Sequence, residues 1–501
     1  MSLVFILRSA HCCQPYNVVP LCLPIDCAPV LGSLWPPYGL CSGFASEMNR
    51  TSISLRSELA DTLRLAGPIV LSQVGHMSMA LVDTAIAGYI STTALAALAL
   101  SVNCFWTLSS ICNGSLLALD TYFSQAVGAR DNKALSRYFS QSFWSCGIVS
   151  LISGVCVLAG TGLYLFFAPP SEMRDFFGVY MRTIIWCQPS LFVFFVLQRY
   201  WQARRHVLPM TIIILAANVL NLMACFALGM GRWGFPNLGV RGLALATVCS
   251  RYSMVFAGLA YTWWKLHPSG VRLPRLDWPV QRQFFRLGLP AASHTALEIG
   301  AFTIATLFVG GLGAVPLAAH HVSLMMAATT FMFPLGMSSA AAVRVGTFIG
   351  AGQPERARTA GWLCIGVSVA VMSCFSLGYL AFPRLLFRCF TRDAAVIDLG
   401  VKILMLVALF QVADGAQVST TGALRGLGNT RSAMIANLIG HYPIGLALGL
   451  VLCFVFGLGV MGLWTGLAAG LISVAVMLVR AWQVATRDTS LLQPVVAGQV
   501  V

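Results

Sequence analysis

The sequence predicts an all-α polytopic membrane protein: twelve transmembrane helices in two six-helix lobes, related by a pseudo-two-fold axis along the membrane normal. Three observations carry that prediction. First, 58% of the 501 residues are hydrophobic and only 9% are charged, with a mean hydropathy of +0.80; a soluble domain carries about 25% charge. No water-soluble fold hides that much apolar surface, so the bilayer is the solvent. Second, apolar runs of about 20 residues, the length that crosses the hydrocarbon, occur twelve times. Third, the chain repeats itself at an offset of about 222. Gly67-Pro68, Leu95-Ala96-Ala97 and Gly128-Ala129-Arg130 reappear without a gap as Leu289-Pro290, Leu317-Ala318-Ala319 and Gly350-Ala351-Gly352. Further on, Pro209-Met210 matches Ala433-Met434, and Gly239-Val240-Arg241-Gly242-Leu243 matches Gly459-Val460-Met461-Gly462-Leu463. A membrane unit repeated at this size is the mark of a transporter whose halves move against each other.

In order, the spans are expected at 63–90, 94–123, 138–167, 177–198, 207–229 and 238–264 in the first half. In the second they fall at 285–311, 315–345, 360–382, 397–421, 433–456 and 459–481. Pro68, Pro290 and Pro334 are expected bends. The domains follow: an N-terminal extension 1–56, an N-terminal lobe 57–265, a cytoplasmic linker 266–284, a C-terminal lobe 285–485 and a tail 486–501. Residues 1–47 are rich in Pro and Cys, almost uncharged and without helical period, and Met1–Ile6 is too short an apolar run before Arg8 for a cleaved signal peptide. Met48 is the expected start of translation.

The formal net charge is +15, but the basic residues are thinly spread between apolar runs, which excludes a nucleic-acid surface. Sixteen of them fall in even-numbered gaps or the span ends beside them, and seven in odd-numbered ones. The positive-inside rule therefore puts both termini in the cytoplasm. Twelve being even, both halves enter with the same orientation. The 16 cysteines lack CxxC spacing, and eleven lie scattered in apolar segments, where a free thiol behaves as a small hydrophobe.

Four carboxylates stand out within the spans: Asp83, Asp120, Glu298 and Asp414. Each costs at least 2.5–3.5 kcal/mol at a helix centre. Asp120 lies close to the cytoplasmic end of its span, where water is expected to reach it. A structural hydrogen bond between helices needs only Ser, Thr or Asn. A carboxylate adds the ability to be neutralised by a proton or cation and then released, which makes Asp83, Glu298 and Asp414 the candidate site. Repeat alignment puts Glu298 at the position of His76 and Asp83 at that of Ala305, and gives Asp414 no acidic partner. The lobes are thus alike in fold and unlike in chemistry. His294, four residues before Glu298, shares its helix face; His320, His321 and His441 are weaker candidates.

Leu81-Val82-Asp83-Thr84-Ala85-Ile86-Ala87-Gly88, Gly288-Leu289-Pro290 leading to Glu298, Phe331-Met332-Phe333-Pro334, and Leu409-Phe410-Gln411-Val412-Ala413-Asp414 with Leu424-Arg425-Gly426-Leu427-Gly428 together resemble the multidrug and toxic compound extrusion (MATE) family in its bacterial NorM-like branch, over about 57–485. The resemblance implies an inner-membrane antiporter that exports cationic lipophilic compounds in exchange for inward Na⁺ or H⁺. It implies that Glu298 and Asp414 couple the cation, with Na⁺ as the metal they would hold, and that Asp83 is the N-terminal acid with Asn221 beside it. Asp393 corresponds to a family acid at the outer end of the tenth span. Two positions depart from the pattern: Phe331 replaces a family tyrosine, and Cys225 replaces a polar residue.

The expected partners are small cationic drug-like molecules, with no cofactor, no nucleic acid and a monomeric chain. A lipid-linked sugar flippase is the alternative. It needs several basic residues in its cavity, and Arg251 and Lys402, both read as lying toward span ends, are the main candidates. An intramembrane enzyme is disfavoured by the absence of HExxH or any nucleophile motif.

Overall fold

All regular elements among the described residues are helices. The computed structural model describes residues 55–166, 171–266, 275–488 and 492–495. The expected start at Met48, nearly all of the extension 1–56, the middle of the linker and much of the tail lie outside them. Eleven helices are long and apolar enough to span: α1 Arg56–Ile90, α2 Thr93–Gly128, α3 Asn132–Phe166, α5 Val207–Gly229, α6 Gly239–Leu266, α7 Trp278–Gly310, α8 Ala314–Gly350, α9 Pro354–Ala381, α10 Ala394–Gly426, α11 Arg431–Val455 and α12 Gly459–Ala485. The twelfth, α4, is broken: Glu172–Ile184 and Cys187–Ala203 meet at 46°. Proline explains the break. Pro189 has no N–H to give Ile185, and its ring crowds that carbonyl, so the continuous span expected at 177–198 divides just before it. Pro68, Pro290 and Pro334, by contrast, lie inside helices that continue through them.

Several helices outrun their expected spans. Polar residues at their ends project beyond the hydrocarbon without ending the helix. The first turns of α7, placed in the linker by hydropathy alone, dock on α3. Gln281 Nε2 donates to the Gln141 carbonyl (2.8 Å), and Ser145 Oγ donates to Gln281 Oε1 (2.6 Å). On the outer face of α3, Leu151, Val155, Leu158 and Leu163 are more than half exposed; in a bilayer this face meets lipid.

The repeat is written into the backbone as well as the side chains. Left-handed residues recur at matching positions: Arg130 (φ 56°) with Gly352 (φ 68°), Arg205 (φ 62°) with Gly428 (φ 82°), and Gly239 (φ 55°) with Gly459 (φ 56°). The two arginines adopt a conformation that glycine reaches more cheaply, because each closes the same turn as its glycine counterpart.

The halves meet where α1 and α2 pack on α7 and α8. At the arginine-rich end, α2 and α8 cross at the repeat-equivalent glycines Gly128 and Gly350. A Cβ on the first would run into the Thr347 carbonyl, and one on the second into the Gln125 carbonyl. Small residues at such crossings let backbones approach closely in lipid. Buried ion pairs flank the crossing. Asp120, fully buried, faces Arg199 Nη1 (3.3 Å) from α4 and Arg425 Nε (3.1 Å) from α10. Arg199 also donates to Ser339 Oγ on α8 (3.0 Å). Glu58 on α1 pairs with Arg344 on α8 and with Arg356 on α9 (2.8 Å). The expectation that Asp120 meets water is therefore wrong. Helix α2 continues two turns past it, and the crossing with α8 shuts solvent out. In the tail, Val495 N–H donates to Gln125 Oε1 (2.8 Å) beside the same crossing.

Two stability outcomes follow from this seam. Gly128→Ala forces a Cβ against backbone that cannot rotate away, an overpacking cost of about 1–3 kcal/mol; at Gly147 a Cβ meets nothing within 4 Å. Thermal unfolding in detergent should show Gly128→Ala melting lower and Gly147→Ala unchanged; equal melting temperatures refute the close crossing. Asp120→Ala strands two buried arginines, a loss of about 3–5 kcal/mol, and an unaltered melting temperature would show that the ion triad does not form.

Candidate functional site

In the second half, Asp414 sits mid-way along α10 and is 6% exposed. One turn further on the same face, Gln417 Nε2 donates to Asp414 Oδ1 (3.1 Å) and, across to α7, to Glu298 Oε1 (3.3 Å). One neutral amide thus holds both carboxylates. The amide's own oxygen, Gln417 Oε1, is buried without a partner. His294 Nε2 lies 3.7 Å from the other Glu298 oxygen, as its spacing of four predicts. A turn earlier, Gln411 Nε2 donates to Thr330 Oγ1, which contacts Tyr379 OH (3.2 Å). Gln411, Asp414 and Gln417 form a polar stripe at spacing three along an otherwise apolar helix.

Two carboxylates sharing one amide in a low-dielectric setting repel each other, and among the described residues no arginine or lysine is paired with either. A proton or a small cation relieves that repulsion. The oxygens of Glu298 and Asp414 are the kind of ligand that hard cations prefer, and Gln417 turns its Nε2 toward them.

In the first half, Asp83 on α1 is 2% exposed. It accepts from Thr247 Oγ1 on α6 (2.5 Å) and Cys225 Sγ on α5 (3.3 Å). Asn221, expected beside Asp83, donates to Thr247 Oγ1 (3.3 Å) and completes the network. Cys225, a departure from the family pattern, still takes a place in it, as a weak thiol donor. A cavity opens beside Asp83, lined by Phe105 and Trp106 from α2, Tyr180 and Leu191 from α4, and Thr247 and Arg251 from α6.

The reading of Arg251 as lying toward a span end is corrected here. Arg251 stands at the middle of the expected span 238–264 and near the middle of α6, 2% exposed and on the cavity wall. Its Nη1 donates to His76 Nδ1 (3.0 Å), and the other ring nitrogen of His76 lies 3.1 Å from the Gln198 amide. His76, the repeat counterpart of Glu298, therefore belongs to the first-half site. Lys402 is exposed on α10.

The remaining candidates take structural places. Asp393 accepts from Ala395 N–H and Val396 N–H as the N-cap of α10. His320 Nε2 meets Thr306 Oγ1 (2.9 Å) and packs on the Trp464 ring. His441 is buried in a wide-turn segment of α11 with both ring nitrogens unpartnered, and His321 is exposed. Phe331 is half-buried on α8. The structure thus joins Glu298 to Asp414 and Asp83 to Asn221, as two separate networks, one in each half. Sequence reasoning missed Gln417 and Thr247. The spacing of Gln411, Asp414 and Gln417, and of Thr247 and Arg251 four apart, was the available signal.

The family model described as MatE matches residues 68–227 and 290–451, one copy in each half. The chain is 33% identical over 439 residues to a probable multidrug resistance protein NorM of Mesorhizobium japonicum, covering 85% of this chain and 94% of that one. It is 33% identical to the multidrug resistance protein NorM of Burkholderia vietnamiensis, covering 89% and 98%, and 34% identical to a probable NorM of Deinococcus radiodurans, covering 87% and 97%. Among solved structures, the eukaryotic MATE transporter AtDTX14 shares the fold with a TM-score of 0.79 at 21% identity, covering 87% of this chain and 98% of that one. The Vibrio cholerae MATE transporter VcmN, in its bent form, shares it with a TM-score of 0.77 at 18% identity, covering 88% and 99%. With its two-fold repeat, its twelve spans and its buried acids, the chain belongs to the MatE family of membrane transporters and is not an enzyme.

Proposed function

We propose that the protein is a multidrug efflux antiporter that exports cationic lipophilic compounds in exchange for inward Na⁺ or H⁺. It would lie in a bacterial inner membrane with both termini cytoplasmic, which makes the arginine-rich seam the cytoplasmic side. The observation that carries this reading is the single amide of Gln417 holding Glu298 and Asp414 together without an arginine or lysine partner among the described residues. The NorM names of the relatives support the drug-export part.

The cycle follows from charge. With access from outside, Glu298 and Asp414 take up protons or a Na⁺ ion. Neutralised, the pair tolerates the low dielectric of a closed cavity, and the lobes rock to face the cytoplasm. There the ion leaves, and the bare acids attract a cationic drug. Drug and ion compete for the same carboxylates, and that competition is the coupling. The membrane potential contributes about 2.3 kcal/mol per charge per 100 mV. Asp83, held by Thr247 and Cys225, is the second acid of the transport machinery. A flippase for lipid-linked sugars needs several cations around a phosphate, whereas Arg251 is the single basic residue on the cavity wall described above.

In proteoliposomes, an imposed Na⁺ gradient and an imposed proton gradient should differ in their power to drive efflux of a fluorescent cation, and the effective one names the coupling ion. Glu298→Gln and Asp414→Asn should each lower the rate at least ten-fold while melting close to wild type. Undiminished efflux in both variants would sink the mechanism.

A further inference from the structure

The arginine-rich end of the seam holds a second cavity, of about 190 Å³, apart from both acid networks. Asp61, Arg64 and Leu65 of α1, Arg205 and Val207 where α4 turns into α5, and Arg344 of α8 line it, so its walls come from both halves. A single water needs about 10–15 Å³ of such space, and this cavity admits a polyatomic ion. Asp61, Arg64 and Arg205 are exposed, which leaves its mouth open. Neither Arg64 nor Arg205 belongs to an ion pair among the described residues. On the buried side, Arg344 gives its Nη groups to Glu58 and Thr62, while its Nε is buried without a partner. Four arginines, Arg64, Arg205, Arg344 and Arg356, thus stand here against two carboxylates, Asp61 and Glu58, an excess of two positive charges.

This charge is particular to the first half. In the second, Gly428 stands where Arg205 does, Gln283 where Asp61 does, and Tyr122 takes the place of Arg344. There the tail fills the corner, and a Cβ on Gly428 would run into Val495. Arg205 holds the same left-handed turn (φ 62°) at a cost that glycine avoids. Backbone strain of this kind persists where the side chain has a use.

We propose that this cavity binds a phosphate group at the seam. Guanidinium groups match phosphate with paired N–H donors, and the excess positive charge suits an anion. Such a group comes either from water, as free phosphate, or from the bilayer, as the headgroup of an anionic phospholipid. The surface beside the mouth favours the lipid. Leu208, Ile212 and Leu215, four and three residues apart on α5 directly after Val207, form an exposed apolar stripe on which an acyl chain can lie. Basic pockets between spans at the membrane surface are places where anionic headgroups bind. The site concerns neither drug nor coupling ion, and it stands apart from the efflux reading.

Thermal unfolding of the purified full-length protein in detergent tests this without any transport step. Three additives are compared: dioleoyl phosphatidylglycerol, dioleoyl phosphatidylcholine, whose phosphate is masked by its own choline, and sodium phosphate against sodium chloride of equal ionic strength. A ligand that binds only the folded protein raises its melting temperature. Phosphatidylglycerol should raise that of the wild type by a few degrees and to a plateau, and phosphatidylcholine should not. Arg64→Gln with Arg205→Gln should remove the gain, and Arg64→Lys with Arg205→Lys should keep part of it. Without additive these variants should melt close to wild type, since neither arginine is ion-paired; Arg64→Gln alone, on a regular turn of α1, carries the test if the pair does not fold. A gain from phosphatidylglycerol alone identifies the lipid headgroup. A gain from sodium phosphate over sodium chloride, lost in the same glutamine variants, identifies the free ion in the same site. Equal gains from both lipids, no gain from any additive, or an undiminished gain in the glutamine variants overturns the site.

Discussion

The hydrocarbon of a bilayer offers a buried charge nothing to bond, so each charged group in the spans must find its counterpart inside the protein. The partners found sort the charges into two kinds. Asp120 and Glu58 are met by arginines of opposite sign, from helices of both halves. Such groups are electrically finished and gain little from an outside ion. Among the described residues, Asp83, Glu298, Asp414 and Arg251 form no arginine–carboxylate pair: Asp83 is held by a threonine and a thiol, Glu298 and Asp414 by one shared amide with His294 beside Glu298, and Arg251 by one imidazole. These are the groups that the proposed function leaves to meet an ion. The nature of the partner, more than burial itself, separates the structural charges from the functional ones.

Duplication supplies the frame for both kinds. The same left-handed turns and the same glycine at the α2 and α8 ends occur in each half, which makes the seam between the halves nearly symmetric. The chemistry is not duplicated. Each site is assembled from helices of one half: α1, α5 and α6 around Asp83, and α7 with α10 around Glu298 and Asp414. In the proposed cycle a site contained within one lobe moves as a unit, and its internal hydrogen bonds survive the motion. What changes is access to water on either side.

Hydropathy and the repeat made most of this architecture legible, because the spans, their number and their pairing depend only on local composition and its period. The four acids were legible for the same reason, as charges in apolar runs. The rest depends on where helices end and what lies across from them. A window of about 20 residues averages over Pro189, so the break in α4 was invisible although the residue was in plain view. Arg251 was read as peripheral although it stands at the middle of the expected span 238–264 as well as of α6. Asp120 looked wet because its counter-charge Arg425 stands far away in the chain, in the other half. Gln417 carries no charge and stood out only as part of a spacing pattern.

The buried pairs also set how the seam can part in the antiport cycle proposed above. Asp120 has Arg199 from its own half and Arg425 from the other, so separation of the halves leaves it with a partner and strands only Arg425. Glu58 is different: both of its arginines belong to the other half. It lies in the first turn of α1, however, and the opening of the seam would bring water to that end. A carboxylate at a wetted helix N-terminus is favoured by the helix dipole and by solvent together. The deep pair thus keeps an internal partner and the shallow one exchanges its partners for water. The seam can close firmly and still open without leaving an anion bare in the hydrocarbon.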